Sequence, residues 1–169
     1  MPLFPQKRAV FFYICYTLWY MPVFIATDHR GFDLKNKLIE YLQEKNIRVE
    51  DFGNYKHDPE DDFPDFAQKV AQAVQQNPDE NLGIVICGSG IGVSIAVNRF
   101  KNIRCGLALN LDQVQHGREN DYTNILALAA DYTDFETAKK YIDAFLNAKP
   151  KSVEKYIRRI KKTDTIPQQ

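Results

Sequence analysis

The chain of 169 residues is poor in several things, and each shortage closes off a class of protein. Cysteine occurs three times, as Cys15, Cys87 and Cys105, an odd number without C-x-x-C spacing. A disulfide-stapled secreted scaffold is excluded, and a reducing cytoplasm is the expected setting. Histidine is as scarce: His29, His57 and His116 fall in separate segments, so no zinc ligand set forms along the sequence and no metal is expected. Excess charge is missing, because 22 Lys and Arg offset 22 Asp and Glu, and without a basic field no nucleic-acid partner is expected. Long apolar runs are missing too. Residues 9–20 are mostly apolar and aromatic behind Lys7 and Arg8, but they fall short of the roughly 20 residues of a membrane span, and their bulky end does not suit a signal cleavage site. No membrane partner is expected. A strand pattern begins directly after Met21, so residues 1–20 read as an N-terminal extension or a misassigned start. Residues 21–149 read as one α/β domain of ordinary size, and residues 150–169 as a basic carboxyl-terminal helix and tail.

What is present centres on residues 83–98, GIVICGSGIGVSIAVN. The apolar, β-branched run through Cys87 is the pattern of a strand buried on both faces of a parallel sheet. It stops at Gly88, Ser89, Gly90, Ile91 and Gly92 and passes into a helix-like stretch, an arrangement that turns backbone N–H groups toward an anion. The G-x-G-x-G spacing lacks the third glycine position of a dinucleotide fingerprint, and no Gly-Lys-Ser/Thr of a P-loop follows. Cys87 stands at the carboxyl end of this strand, where open α/β sheets bind ligands. By residue type alone it reads equally as base or nucleophile, or as a small buried apolar residue.

Around this strand the chain alternates. A strand at residues 23–27 is followed by Asp28-His29-Arg30-Gly31 and a helix over residues 32–45, with Leu34, Leu38, Ile39 and Leu42 on one face and Lys35, Lys37, Glu40 and Glu44 elsewhere. A short strand over 48–52 leads into an acidic loop and a helix from Phe63 to about Gln76. Beyond the central strand come a strand over 104–109, a helix over 111–118, a strand over 124–128, a helix capped by Asp134 and a basic helix over 152–162. Five strands alternating with helices predict a doubly wound, Rossmann-like parallel sheet with helices on both faces.

Asp28-His29 after the first strand, Cys87 with its glycine loop after the third, and Asn98 beyond it resemble the ribose-5-phosphate isomerase B family, which includes the galactose-6-phosphate isomerase subunits. ATDHRGF, DDFPDFA, ICGSGIGVSIAVNRF and TNILAL follow in the same order and spacing, and the likeness covers about residues 22–160. It implies an aldose–ketose isomerase of a phosphorylated sugar, acting through a cis-enediolate with neither metal nor cofactor. Cys87 would be the base and Ser89 the hydroxyl that relays protons. The N–H groups around Gly88, Gly90, Ile91 and Gly92 would hold the enediolate oxygen, Asp28 a sugar hydroxyl and His29 the phosphate. Taken by type, Asp28 equally suits a helix N-cap and His29 a loop side chain. The resemblance further implies that Lys155, Arg158 and Arg159 reach a neighbouring subunit's phosphate, in a homodimer or homotetramer with shared sites. As a plain sequence they are equally a solvated helix face.

Three positions depart from the family pattern. Asn120 replaces the histidine that opens the sugar ring, and an amide exchanges no proton near neutral pH; His116, one turn upstream, reads either as a substitute or as an ordinary surface histidine. Asp131 replaces a phosphate-binding arginine, and a carboxylate there is expected to repel phosphate. Phe63 replaces an aromatic hydroxyl. Val93 stands where some members carry a glutamate base, which leaves Cys87 as the only evident base. The expectation is an isomerase of altered substrate preference or reduced activity on ribose 5-phosphate. The alternative is a non-catalytic sugar-phosphate binding subunit or partner of a paralogous chain.

Overall fold

The computed structural model describes residues 22–166, so the expectations for residues 1–20 lie outside the described residues. Two apolar strands form its centre: β1 (Val23–Thr27), buried at every position, and β3 (Leu82–Cys87). With β2 (Val49–Asp51), β4 (Cys105–Leu107) and β5 (Ile125–Ala129) they make one parallel sheet in the order β2-β1-β3-β5-β4, the doubly wound arrangement the alternation predicts. Thr27 pairs with Ile86 and Cys87 with Ala129, so β1, β3 and β5 end level with one another.

The two-residue period of the strands divides the core. Val23, Ile25, Ile84, Ile86, Leu126 and Leu128 face α1 (Phe32–Glu44), α4 (Leu111–Asn120) and α5 (Phe135–Asn147). Phe24, Ala26, Val85, Cys87 and Ala127 face α2 (Phe63–Gln75) and α3 (Ile91–Val97). Side chains such as Val70 and Val74 of α2 are fully buried there, each stabilising by about 1.5–3 kcal/mol relative to exposure.

Both edge strands are shorter than their sequence pattern suggests: β2 covers Val49–Asp51 rather than 48–52, and β4 covers Cys105–Leu107 rather than 104–109. Each has a neighbour on one side only, β1 for β2 and β5 for β4, and its residues stay half-buried. Asn98, just past α3, uses its side-chain amide to bond both the N–H (2.8 Å) and the C=O (3.1 Å) of Cys105, in effect extending the sheet at its β4 edge.

Lys35 corrects the reading of α1. The helical pattern set it away from the apolar face, yet it is fully buried, its Nζ donating to Asp51 Oδ2 (2.6 Å) and to the carbonyl of Asn54 (2.8 Å). A buried ammonium is tolerable only with such partners. They fasten the loop after β2 to α1.

The carboxyl-terminal α6 (Glu154–Asp164) buries no residue fully. It is held at both ends by polar contacts: Lys151 N–H donates to Glu119 C=O (2.8 Å) just before the helix, and Arg104 pairs with Asp164 (3.0 Å) near its end. Among the described residues no helix is long and apolar enough to cross a membrane.

Candidate active site

From β1 the chain moves outward to β2 on one side and to β3 on the other, so strand order reverses between β1 and β3. In open α/β sheets ligands bind outside the carboxyl ends of the strands at this point. Asp28 follows β1 here, Cys87 ends β3, and residues 130–131 follow β5.

Cys87 is 4% exposed, and its Sγ accepts the backbone N–H of Gly90 at 3.2 Å. The loop that aims this donor depends on Gly90, whose φ of 70° is left-handed and disfavours residues with a Cβ. A Cβ there would also lie 2.5 Å from Leu107 Cδ1. Ser89 is exposed at the tip, and its Oγ accepts the N–H of Ile91 at 3.2 Å, which steadies the entry to α3. Phe63, at the start of α2, lays its ring against Gly92, where an added Cβ would come within 2.9 Å of it. The phenyl group therefore stands at the loop without a hydroxyl to offer.

Across the switch point, Asp28 is buried and caps the short turn His29–Gly31, its Oδ1 accepting from Arg30 N–H (2.9 Å) and Gly31 N–H (3.3 Å). Burial outweighs these bonds and raises its pKa above the ordinary carboxylate value. The cap and a substrate contact are compatible, because the two bonds engage one oxygen. The His29 ring sits with Nδ1 2.7 Å from Asp61 Oδ1, which also accepts the His29 backbone N–H at 3.1 Å. That contact raises the pKa of His29. Burial opposes ionisation of Asp61, but the bonds from His29 and from Asn54 Nδ2 (2.6 Å) outweigh it and hold its carboxyl below the usual range. Asp61 and Asn54 lie in the acidic loop after β2; Asp61 opens the DDFPDFA stretch, but the sequence singles out neither residue as a site residue.

Asp131 is not an isolated carboxylate. Arg30 donates to it through Nε (3.3 Å) and Nη2 (2.5 Å), directly over Gly88. The expected repulsion of phosphate is therefore corrected: a cation faces that charge.

The remaining candidates lie elsewhere in the chain. Asn120 ends α4, ahead of the amino end of β5, whereas Cys87 lies level with the carboxyl end of β5. The two are separated by at least the rise of that strand, on the order of 13 Å. Asn120 is buried, and its Nδ2 donates to Nδ1 of His116 at 2.9 Å. His116 and Arg159 share a cavity of about 420 Å³ with Arg104, Cys105 and Asp121. Lys155 and Arg158 are exposed on α6 at the same edge of the sheet. The chain thus brings Asp28, His29, Cys87, Ser89, Gly88, Gly90, Ile91 and Gly92 together, and holds Asn120, Lys155, Arg158 and Arg159 apart from them.

A level-ended parallel sheet with a thiol, a glycine loop and a histidine–aspartate pair at its switch point defines a Rossmann-like α/β protein with its candidate site at the ends of β1 and β3. A profile of the ribose/galactose isomerase family matches residues 23–163. The chain belongs to that family. It is 39% identical over 127 residues to a probable ribose-5-phosphate isomerase B of Mycoplasma pneumoniae, covering 75% of this chain and 83% of that one. To the ribose-5-phosphate isomerase B of Escherichia coli it is 37% identical over 121 residues, 72% of this chain and 80% of that one. Among solved structures, that of ribose-5-phosphate isomerase B from Mycoplasma genitalium with bound ribulose 5-phosphate superposes with a TM-score of 0.83 at 36% identity, over 86% of this chain and 95% of that one.

Proposed function

We propose that the chain interconverts a small phosphorylated aldose and its ketose through a cis-enediolate, with Cys87 as base. The observation that carries this reading is Cys87 Sγ at the switch point, receiving the N–H of Gly90 and lying level with Asp28 across β1. Membership of a family whose relatives are named ribose-5-phosphate isomerase B supports the reaction class.

The steps balance without an oxidant. Sγ, as the thiolate, takes the proton from the carbon beside the carbonyl; the C–H pair becomes the C=C bond and the carbonyl π pair moves onto its oxygen, where backbone N–H groups of the glycine loop stabilise the charge. A proton passes between the two adjacent oxygens, with Ser89 as the nearby hydroxyl, and the other carbon is reprotonated. Asp28 holds a sugar hydroxyl and His29 the phosphate. Because Asn120 exchanges no proton, His116, oriented by the Asn120 amide, is the group that serves the ring oxygen. It does so across an interface, together with Lys155, Arg158 and Arg159 of a second copy, in the cytoplasm. Phe63 and Asp131 mark a substrate preference different from the family's usual one.

The test is turnover of ribose 5-phosphate and of six-carbon sugar phosphates by the purified chain and its Cys87→Ala variant. Loss of a positioned base costs about 10²–10⁴-fold in kcat, with an unchanged far-ultraviolet spectrum. Unchanged turnover overturns the base assignment. A second reading, a non-catalytic sugar-phosphate binding subunit, is favoured by Asn120 alone; binding of sugar phosphate without turnover by the wild-type chain would establish it.

A further inference from the structure

Arg30 and Asp131 are 101 residues apart in sequence, yet they join the loop after β1 to the loop after β5 across the end of β3. Their contact crosses Gly88 so closely that a Cβ on that glycine would fall 2.7 Å from Asp131 Oδ2 and 3.2 Å from Arg30 Nε. The glycine is what lets the pair lie on the loop that holds Cys87. Stability does not explain it: the arginine side chain is 54% exposed and the aspartate 35%, and pairs this exposed add little. Asp131 uses Nε and Nη2 of the guanidinium, while Nη1 makes no hydrogen bond among the described residues. A planar fork with one edge held by a carboxylate and donors left over is prepared for a second oxyanion. His29, the neighbouring residue, is held in the same way by Asp61, so a histidine and an arginine on adjacent residues each lean on a carboxylate at the same rim.

We propose that Arg30 is a substrate-anchoring residue that binds the phosphate of the sugar phosphate beside His29, and that Asp131 is its positioning residue, fixing the guanidinium over Gly88. This rests on the isomerase reading for the identity of the substrate, and on the geometry alone for the anion site. A cation approaching this spot from the β1 side does the work that an arginine at position 131 would do from the β5 side.

The experiment is a charge-swap series, Arg30→Ala, Arg30→Lys, Asp131→Asn and the double variant Arg30→Ala/Asp131→Arg, measured in two ways. In turnover, Arg30→Ala raises KM for the sugar phosphate about tenfold or more, as removal of a charge-assisted hydrogen bond to an anion does, with kcat little changed. Arg30→Lys recovers part of the loss, since an ammonium supplies charge but no fork. Asp131→Asn weakens binding less than Arg30→Ala does, and the double variant binds more tightly than Arg30→Ala alone. A merely structural pair predicts the opposite for the swap, which would be no better than either single change. The second measurement is thermal stabilisation by inorganic phosphate in a Cys87→Ala background, where no turnover is needed. Stabilisation that depends on Arg30, together with no turnover by the wild-type chain, upholds the anchor and removes the isomerase reading. Turnover with KM and phosphate stabilisation both indifferent to Arg30 keeps the reading and overturns the anchor.

Discussion

At the scale of single residues, the pair His29–Asp61 gives the clearest electrostatic consequence. His29 has its pKa raised above 6.5 by the Asp61 hydrogen bond, so the stability it contributes is complete below pH 6.5 and fades as pH rises through the raised value. Asp61 has its pKa lowered from 3.8, so its share is present above pH 3.8 and fades as pH falls through the lowered value. The pair therefore stabilises the fold most between about pH 3.8 and 6.5. Asp61→Asn should lower Tm most inside that window and progressively less above it. In the same variant the His29 imidazole, followed by proton NMR, should titrate lower than in the wild type. Phosphate binding should follow the same titration, weakening as His29 loses its proton. If the titration of His29 is indifferent to Asp61, the histidine is not a poised cation. Cys87 is the contrasting case: a thiol at a strand end is compatible with plain packing, and what separates it from packing is the Gly90 N–H aimed at its sulfur.

At the scale of elements, the loop after β2 matters more than its sequence suggests. Lys35 Nζ on α1 holds the Asn54 carbonyl, Asn54 Nδ2 holds Asp61 at 2.6 Å, and Asp61 holds His29, so a buried lysine sets the position of the histidine proposed to meet the phosphate. Breaking a buried ion pair usually costs about 3–5 kcal/mol. Asp51 keeps 28% of its side chain in contact with solvent, so Lys35→Met should cost less, about 2 kcal/mol, read as a lower urea midpoint with unchanged slope. It should also bring the His29 titration down, which a change in packing alone would not do. The sequence could not show this chain of contacts. Helical periodicity ranks residues by polarity, and a lysine buried with its own partners breaks the ranking. Where polarity and burial agree, the elements are legible: β1 lies exactly where its β-branched run does, and α5 begins after its Asp134 cap, whose carboxylate accepts from Thr137 N–H at 2.7 Å. Edge strands are harder to read, because their residues pair on one side and end where that pairing ends. Arg30 and Asp131 were invisible as a pair, since 101 residues of sequence separate them and only the level ends of β1, β3 and β5 bring them together.

At the scale of the whole molecule, the chain does not bring all the proposed site residues together. Cys87 and the glycine loop lie at the carboxyl end of the central strand β3, whereas His116 and Arg159 line the cavity at the β4 edge. Ile91 (53%) and Ile95 (62%) form an exposed apolar face on α3, adjoining the glycine loop, which a second copy could cover. In a two-fold dimer each site would take Cys87, His29 and Arg30 from one chain and His116, Lys155, Arg158 and Arg159 from the other. Complementation tests this directly. Cys87→Ala and Arg159→Ala homodimers should each be nearly inactive, for different reasons. Unfolded and refolded together in equal amounts, half of the dimers would be mixed, and each mixed dimer would contain one site with both residues intact, so about a quarter of the wild-type activity should return. If both groups instead served a site within one chain, every chain in the mixture would carry a defect and no activity would return. The recovered fraction thus separates a site built across two chains from a site built within one.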